Sequence, residues 1–181
     1  MKKNSTILIF GYGSIIWDNE DLEPSEIIDA KLNGAHRSFN KKSIVSRGTK
    51  ENPGLVLGLE YGGDCIGKLI RIPEENYSKV LEREGGYIPK NTGESNELEV
   101  VNLLNQKIEN CIVFFPNPKG RNYLEPNVDL EEKAKIILKG EKGKRSDSKE
   151  YLREIRKYLI HNEIVDEHVE KLYKMVFDAL Q

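Results

Sequence analysis

The chain has 181 residues, of which 38% are hydrophobic and 32% are charged, a composition typical of a soluble folded protein rather than a disordered one. It carries 28 lysines and arginines against 30 aspartates and glutamates, so its formal net charge is −2. Binding to nucleic acid needs a basic excess on one face, and this balance argues against such a partner. The length predicts a single domain over residues 1–181.

The two cysteines, Cys65 and Cys111, lie in no CxxC motif and in no cysteine–histidine cluster. A disulfide framework and a zinc site are both disfavoured for this reason. The apolar run Ile7–Phe10 stops at Gly11, short of the ~7–15 apolar residues of a signal peptide. No stretch approaches the ~18 apolar residues of a membrane span. We therefore expect a cytoplasmic protein that does not associate with membranes.

Short strands dominate the first part of the chain. The first is Ile7–Phe10, which ends in a glycine turn, Gly11-Tyr12-Gly13-Ser14. Further predicted strands are Leu55–Leu59 and Ile66–Ile72, separated by a turn over Tyr61–Asp64, and the two arms of a hairpin, Glu97–Leu104 and Ile108–Phe115.

A helix is predicted between these strands, from Pro73 to a stop at Gly85-Gly86. Four of its residues fall at helical spacing on one face: Tyr77, Val80, Leu81 and Glu84. Glu82 and Arg83 are predicted to point away from this face.

The last third of the chain is predicted to be helical. Asp129 with Glu132, and Asp147 with Glu150, have the spacing of capping boxes. A final helix is expected to carry an apolar stripe from Val165 to Leu180. Strands first and helices last predict an α+β fold.

The glycine turn after the first strand does not form the dinucleotide fingerprint GxGxxG, because Ile16 stands where the third glycine belongs. Two interpretations of the turn remain. Successive unshielded amides can bind a carboxylate or a developing oxyanion. The alternative is an ordinary turn with Tyr12 packed in the core. The residues alone leave both open.

Glu84 is the carboxylate that the helical pattern directs inward. Burial and a place in the last helical turn both disfavour its ionised form, so we expect its pKa to be raised towards neutrality. A carboxyl of this kind suits a general acid and base. The alternative is a structural carboxylate that pairs with a buried arginine or reaches solvent past the glycines.

Several segments, taken together, resemble the ChaC-type γ-glutamyl cyclotransferases. The similar segments are Phe10–Trp17, Ser46–Thr49 with Pro53–Leu59, Arg83–Tyr87, Asn122–Leu124, and Glu150–Leu152 with Asp166–Val169. They follow one another in order over nearly the whole chain.

The resemblance implies a γ-glutamyl cyclotransferase-like mixed β-barrel flanked by helices, with no metal and no organic cofactor. It implies a carbon–nitrogen lyase that cleaves glutathione to 5-oxoproline and Cys-Gly, by attack of the γ-glutamyl amino group on its own γ-carbonyl. Glu84 is then the catalytic acid and base. The implied substrate-binding loop consists of Ile9, Phe10, Gly11, Tyr12, Gly13 and Ser14.

Two further residues stand as supporting candidates. Arg47 either neutralises a substrate carboxylate or orders the barrel, and Tyr151 either supplies a hydroxyl to the site or packs in the core.

The chain also departs from the family pattern, because Glu84 directly precedes Gly85 where the family has intervening residues. An alignment that places Glu82 at the catalytic position conflicts with the helical phase. The shortened turn keeps open other γ-glutamyl amines or amino acids as substrates, and a non-catalytic binding homologue remains a further alternative.

Overall fold

The computed structural model describes residues 5–178, and in this range the chain forms a seven-stranded mixed sheet and four α-helices. The strands are β1 (Thr6–Gly11), β2 (Glu26–Ser43), β3 (Gly54–Pro73), β4 (Tyr87–Asn91), β5 (Glu99–Asn102), β6 (Ile108–Glu109) and β7 (Ile112–Pro116). The helices are α1 (Tyr77–Arg83), α2 (Leu130–Lys139), α3 (Ser148–His161) and α4 (Glu167–Asp178). The order of strands in the sheet is β4-β7-β1-β3-β2-β5-β6. The three longer helices follow the last strand, which confirms the α+β class.

The chain divides into two compact units. The first comprises the residues up to His36 together with Glu60–Phe115, and the second comprises Arg37–Leu59 and the residues from Pro116 onward. The glycine turn, α1 and Glu84 all belong to the first unit, whereas α2, α3 and α4 belong to the second.

In the first unit, β1 is a central strand. It pairs antiparallel with β3, where Ile9 faces Ile70, and parallel with β7, where Ile9 faces Ile112. Because neighbours cover both of its edges, the backbone groups of β1 are used within the sheet. This position explains the continuous apolar run that the sequence shows here.

The strands differ from the predicted ones in three places. The strands predicted around the turn Tyr61–Asp64 form one continuous strand, β3, which passes Gly62 and Gly63 with φ of 92° and 69°. Glycine adopts such angles without strain, so these residues distort the strand without ending it. The strand β2 was not predicted, because its polar residues mask the alternation of buried positions.

The third difference lies in the predicted hairpin, of which only the inner part exists. β5 and β6 pair antiparallel, with Val101 opposite Ile108. The second arm breaks after Glu109, and its remainder forms β7 beside β1.

The second unit contains three helices that pack against one another, α2, α3 and α4. Both predicted capping boxes are confirmed at their N-caps: Asp129 accepts from the amide of Glu132, and Asp147 from that of Glu150, each at 2.8 Å. Apolar residues from all three helices are fully buried, and they include Ile137, Leu152, Ile155, Val169, Leu172 and Val176.

The predicted start of the final helix was wrong. Val165 precedes α4 and is 87% exposed, whereas Val169 is buried within the helix. Leu180, predicted at its other end, lies outside the described residues. Among the helices described, none is long and apolar enough to cross a membrane.

Candidate active site

The first half of the proposed substrate-binding segment is strand. Ile9 and Phe10 are each 1% exposed, and with Gly11 they complete β1. A Cβ at Gly11 would lie 2.8 Å from the Cγ2 atom of Ile15, so glycine is required for the following turn to fold back. The prediction that Ile9–Gly11 are part of a loop is therefore wrong, because they belong to β1. Their part in substrate binding stays a prediction.

The second half, Tyr12, Gly13 and Ser14, forms the turn itself. The hydroxyl of Tyr12 donates to the carbonyl of Phe114 at 2.6 Å, and its ring is buried. A short 3₁₀ helix then begins, in which the amide of Ile16 donates to the carbonyl of Gly13. Because this is its first hydrogen bond, the amides of Ser14 and Ile15 precede the helical pattern. Tyr12 thus packs in the core, while the amides of Ser14 and Ile15 lie outside the hydrogen-bond pattern of the helix. The interpretation as an ordinary turn and the interpretation as an anion-binding turn are therefore compatible.

The backbone of Glu84 is fixed on both sides. Its amide donates to the carbonyl of Val80 at 2.8 Å, which ends α1, and its carbonyl accepts from the amide of Tyr87 at 2.9 Å, which closes a tight turn. Gly86 has φ of 86°, a conformation that favours glycine. The Glu84 side chain is 20% exposed, so its carboxylate is partly withdrawn from solvent.

The buried face of α1 differs from the predicted one. Val80 is fully buried and Tyr77 packs against the same core, but Leu81 is 44% exposed, so its predicted burial was wrong. The face is centred on Val80: Leu81 lies about 100° from it around the helix, whereas Arg83 lies about 60° and Glu84 about 40° away. Burial raises the pKa of the Tyr77 hydroxyl.

Arg83 links the end of α1 to the turn after β1. Its Nη2 donates to the Oγ of Ser14 at 3.1 Å and pairs with the Oδ2 of Asp18 at 3.2 Å, and its Nη1 donates to the carbonyl of Asp18. Its Nε lies 3.9 Å from the Oε1 of Glu84. Helical phase predicted Arg83 on the outer face, so these contacts were not expected from the sequence.

A shared apolar core holds the turn and the helix together. Ile15 from the turn and Val80 from α1 belong to one buried cluster, to which the sheet contributes Ile9, Ile70 and Phe114. The turn and Glu84 are therefore anchored to the same core, and Arg83 joins them at its edge. Glu82, the alternative carboxylate, is exposed on the opposite side of the helix.

The two supporting candidates meet each other in the second unit. Arg47 is buried, its guanidinium lies 4.8 Å from the ring centroid of Tyr151, and its Nη2 lies 3.1 Å from the Oε2 of Glu154. It also donates to the hydroxyl of Ser146. Tyr151 is buried with its ring edge against Phe39. These contacts support the ordering role for Arg47 and the core role for Tyr151.

The described residues, from Ser5 to Asp178, contain no group of three or more histidine, cysteine, aspartate or glutamate side chains that could hold a metal ion. Both cysteines are buried, and neither forms a disulfide bond. Burial raises the pKa of the Cys111 thiol to about 12, although a hydrogen bond from Thr92 acts in the opposite direction.

The family profile of ChaC-like proteins matches residues 7–179, and the chain belongs to that family. An Escherichia coli K12 protein named glutathione-specific gamma-glutamylcyclotransferase is 33% identical over 138 residues, covering 72% of this chain and 54% of the relative. The match thus spans about half the length of that relative. A Schizosaccharomyces pombe protein of the same name is 30% identical, and the match covers 100% of this chain and 97% of the relative.

A solved structure confirms the fold. The crystal structure of a γ-glutamyl cyclotransferase specific to glutathione from yeast matches with a TM-score of 0.83 and 21% identity, covering 97% of each chain. The predicted γ-glutamyl cyclotransferase-like fold is therefore confirmed. The roles of Glu84 and of the turn in catalysis and substrate binding stay predictions.

Proposed function

We propose that this protein is a γ-glutamyl cyclotransferase that converts glutathione to 5-oxoproline and Cys-Gly. Support comes from its membership of the ChaC-like family and from relatives named as glutathione-specific enzymes. The observation that carries the mechanism is that Arg83 joins Ser14 to the helix end that bears Glu84. The partly buried Glu84 carboxylate and the turn, whose first amides lie outside the helical pattern, are thus held next to each other by Arg83 and by one apolar core.

The first step is removal of a proton from the α-ammonium of the γ-glutamyl group by the Glu84 carboxylate. The free amine then attacks the γ-carbonyl carbon and forms the carbon–nitrogen bond of the five-membered ring. Because the nucleophile is tethered to its target, holding the chain in a near-attack geometry supplies much of the rate acceleration.

The second step breaks the original amide bond. The attack in the first step leaves negative charge on the carbonyl oxygen, and amides of the turn around Gly13 and Ser14 act as its hydrogen-bond donors. Protonated Glu84 returns its proton to the nitrogen that leaves, which is that of Cys-Gly, and then removes the second proton of the ring nitrogen, which passes to the amine of the released Cys-Gly. Protons and electrons balance without an enzyme-bound covalent intermediate or a cofactor.

One feature favours a second candidate within the same chemistry. Glu84 is followed at once by the tight turn that Tyr87 closes, so the segment after the carboxylate is short. A turn shorter than the family pattern changes the space beside the leaving group, so other γ-glutamyl amines or amino acids are the alternative substrates. The third candidate function is that of a non-catalytic homologue that binds γ-glutamyl compounds.

We infer that the protein is a cytoplasmic enzyme of small molecules, without a nucleic-acid partner. Its two thiols, Cys65 and Cys111, form no disulfide bond, which is typical of proteins in reducing compartments.

The test is release of 5-oxoproline by the purified protein from glutathione, γ-Glu-Ala and γ-glutamyl-lysine. Release from glutathione alone is expected. Release mainly from γ-Glu-Ala or γ-glutamyl-lysine would move the substrate to the second candidate, and release from none, combined with measurable binding of glutathione, would support the non-catalytic homologue.

A further inference from the structure

One side chain, Arg83, contacts both halves of the candidate site. It donates to Ser14 and to the carbonyl of Asp18, pairs with the carboxylate of Asp18, and lies 3.9 Å from Glu84. The guanidinium is planar and carries five N–H donors in a fixed arrangement, so it fixes the positions of its partners relative to one another. The Arg83 side chain is only 13% exposed, which limits screening of its charge by water.

The bond from Arg83 also determines how the Ser14 hydroxyl can bind a substrate. Its oxygen accepts the hydrogen bond from Arg83, so its own O–H group remains to donate a second hydrogen bond. A charged donor polarises the hydroxyl and strengthens the bond it makes in turn. The matching acceptor is an oxygen of the γ-glutamyl group that carries or develops negative charge.

We propose that Arg83 is a positioning residue, which fixes the Glu84 carboxylate relative to the turn and orients the Ser14 hydroxyl towards a substrate oxygen. This inference rests on the proposed cyclotransferase activity. Arg83 acts through two other groups and not on the reacting atoms, so its loss changes their alignment in the transition state. Such a loss lowers kcat more than it raises KM.

A double-mutant cycle on kcat for glutathione tests this role. Arg83→Met is expected to lower kcat by about 100-fold, the size of effect that a misplacement of about 1 Å produces. Ser14→Ala is expected to lower it by about 10-fold, the effect of losing one ordinary hydrogen bond in the transition state. If Arg83 acts through Ser14, the double variant loses about as much as Arg83→Met alone, because coupled losses do not multiply.

Arg71→Met is the matched control, because Arg71 also pairs with a carboxylate in the first unit, that of Glu26 at 2.9 Å, and lies outside the site. Its kcat is expected to equal that of the wild type. If the losses of Arg83→Met and Ser14→Ala multiply, or if Arg83→Met behaves like Arg71→Met, the inference is overturned.

A second variant covers the case in which Arg83→Met does not fold, as judged by its thermal transition. Arg83→Lys keeps the charge but lacks the fork, so its kcat is expected to fall about 10-fold. Wild-type kcat in Arg83→Lys would overturn the inference. A wild-type protein that turns over no γ-glutamyl substrate would overturn the proposed function, and this inference with it, whereas wild-type turnover with unchanged Arg83 variants overturns this inference alone.

Discussion

The hydroxyl of Tyr12 donates a hydrogen bond to the main-chain carbonyl of Phe114 at 2.6 Å, between residues that are 102 positions apart. This bond fastens the turn after β1 to β7 from inside the core. Tyr12 is buried, so the bond is shielded from water. The turn that carries Ser14 thereby has an internal anchor in addition to its link to Arg83.

Replacing Tyr12 with phenylalanine removes this anchor and leaves the Phe114 carbonyl without the donor. The free energy of unfolding is expected to fall by about 1–3 kcal/mol, the cost of a buried polar group left unsatisfied. Urea denaturation measures it.

The control for this change is Tyr61→Phe. The hydroxyl of Tyr61 accepts from Lys90 on a half-exposed side chain, where its loss should cost about 0.5 kcal/mol or less. Equal urea denaturation midpoints for the two variants would show that the Tyr12 hydrogen bond adds no more stability than the exposed one of Tyr61.

Gly86 and Gly85 offer a matched pair in the turn that follows Glu84. Gly86→Ala places a side chain at φ of 86° and is expected to cost about 1–3 kcal/mol of strain. A Cβ at Gly85 meets only the carbonyl of Glu82, at 3.4 Å, so Gly85→Ala is expected to be tolerated.

Because this turn fixes the carbonyl of Glu84, Gly86→Ala should also reduce turnover more than Gly85→Ala does. Thermal transitions and 5-oxoproline release measure the two effects. A Gly86→Ala protein with wild-type stability and turnover would contradict the account of the turn.

The thiol of Cys111 predicts how stability depends on pH in the alkaline range. The folded-state pKa is about 12 against an ordinary value of 9.0, so the unfolded chain loses this proton first as pH rises. The contribution of Cys111 is therefore present in full below pH 9 and is lost between pH 9 and pH 12.

The expected slope from this group is at most about 1.4 kcal/mol per pH unit. Urea denaturation of the wild type and Cys111→Ala at several values of pH measures it. The wild type should lose stability more steeply above pH 9 than Cys111→Ala does. Parallel curves would mean that the thiol ionises equally in both states.

Local patterns in the sequence predicted local structure well. The capping boxes at Asp129 and Asp147 were found because a side chain bonds an amide three residues away, and that spacing is visible in the sequence. The end of the helix before Gly85-Gly86 was found for the same kind of reason, since glycine past a helix end is a local signal.

Contacts between distant residues were not predictable in this way. Arg83 was placed on the outer face of α1 because helical phase alone does not show that Asp18 and Ser14 lie beside it, 65 and 69 residues away. Leu81 was predicted to be inside because it shares helical spacing with Tyr77, whereas the short helix α1 packs through Val80. In both cases the core formed with the turn sets the orientation of the helix.

The central claim is that Glu84, and no neighbouring carboxylate, moves the proton. The direct measurement is 5-oxoproline release from glutathione by Glu84→Gln and by Glu82→Gln, with thermal transitions to show that both variants fold. Loss of a general acid and base is expected to lower kcat of Glu84→Gln by about 100- to 10,000-fold, while Glu82→Gln keeps wild-type turnover. A folded Glu84→Gln protein with wild-type turnover, or an equal loss in both variants, would contradict the assignment.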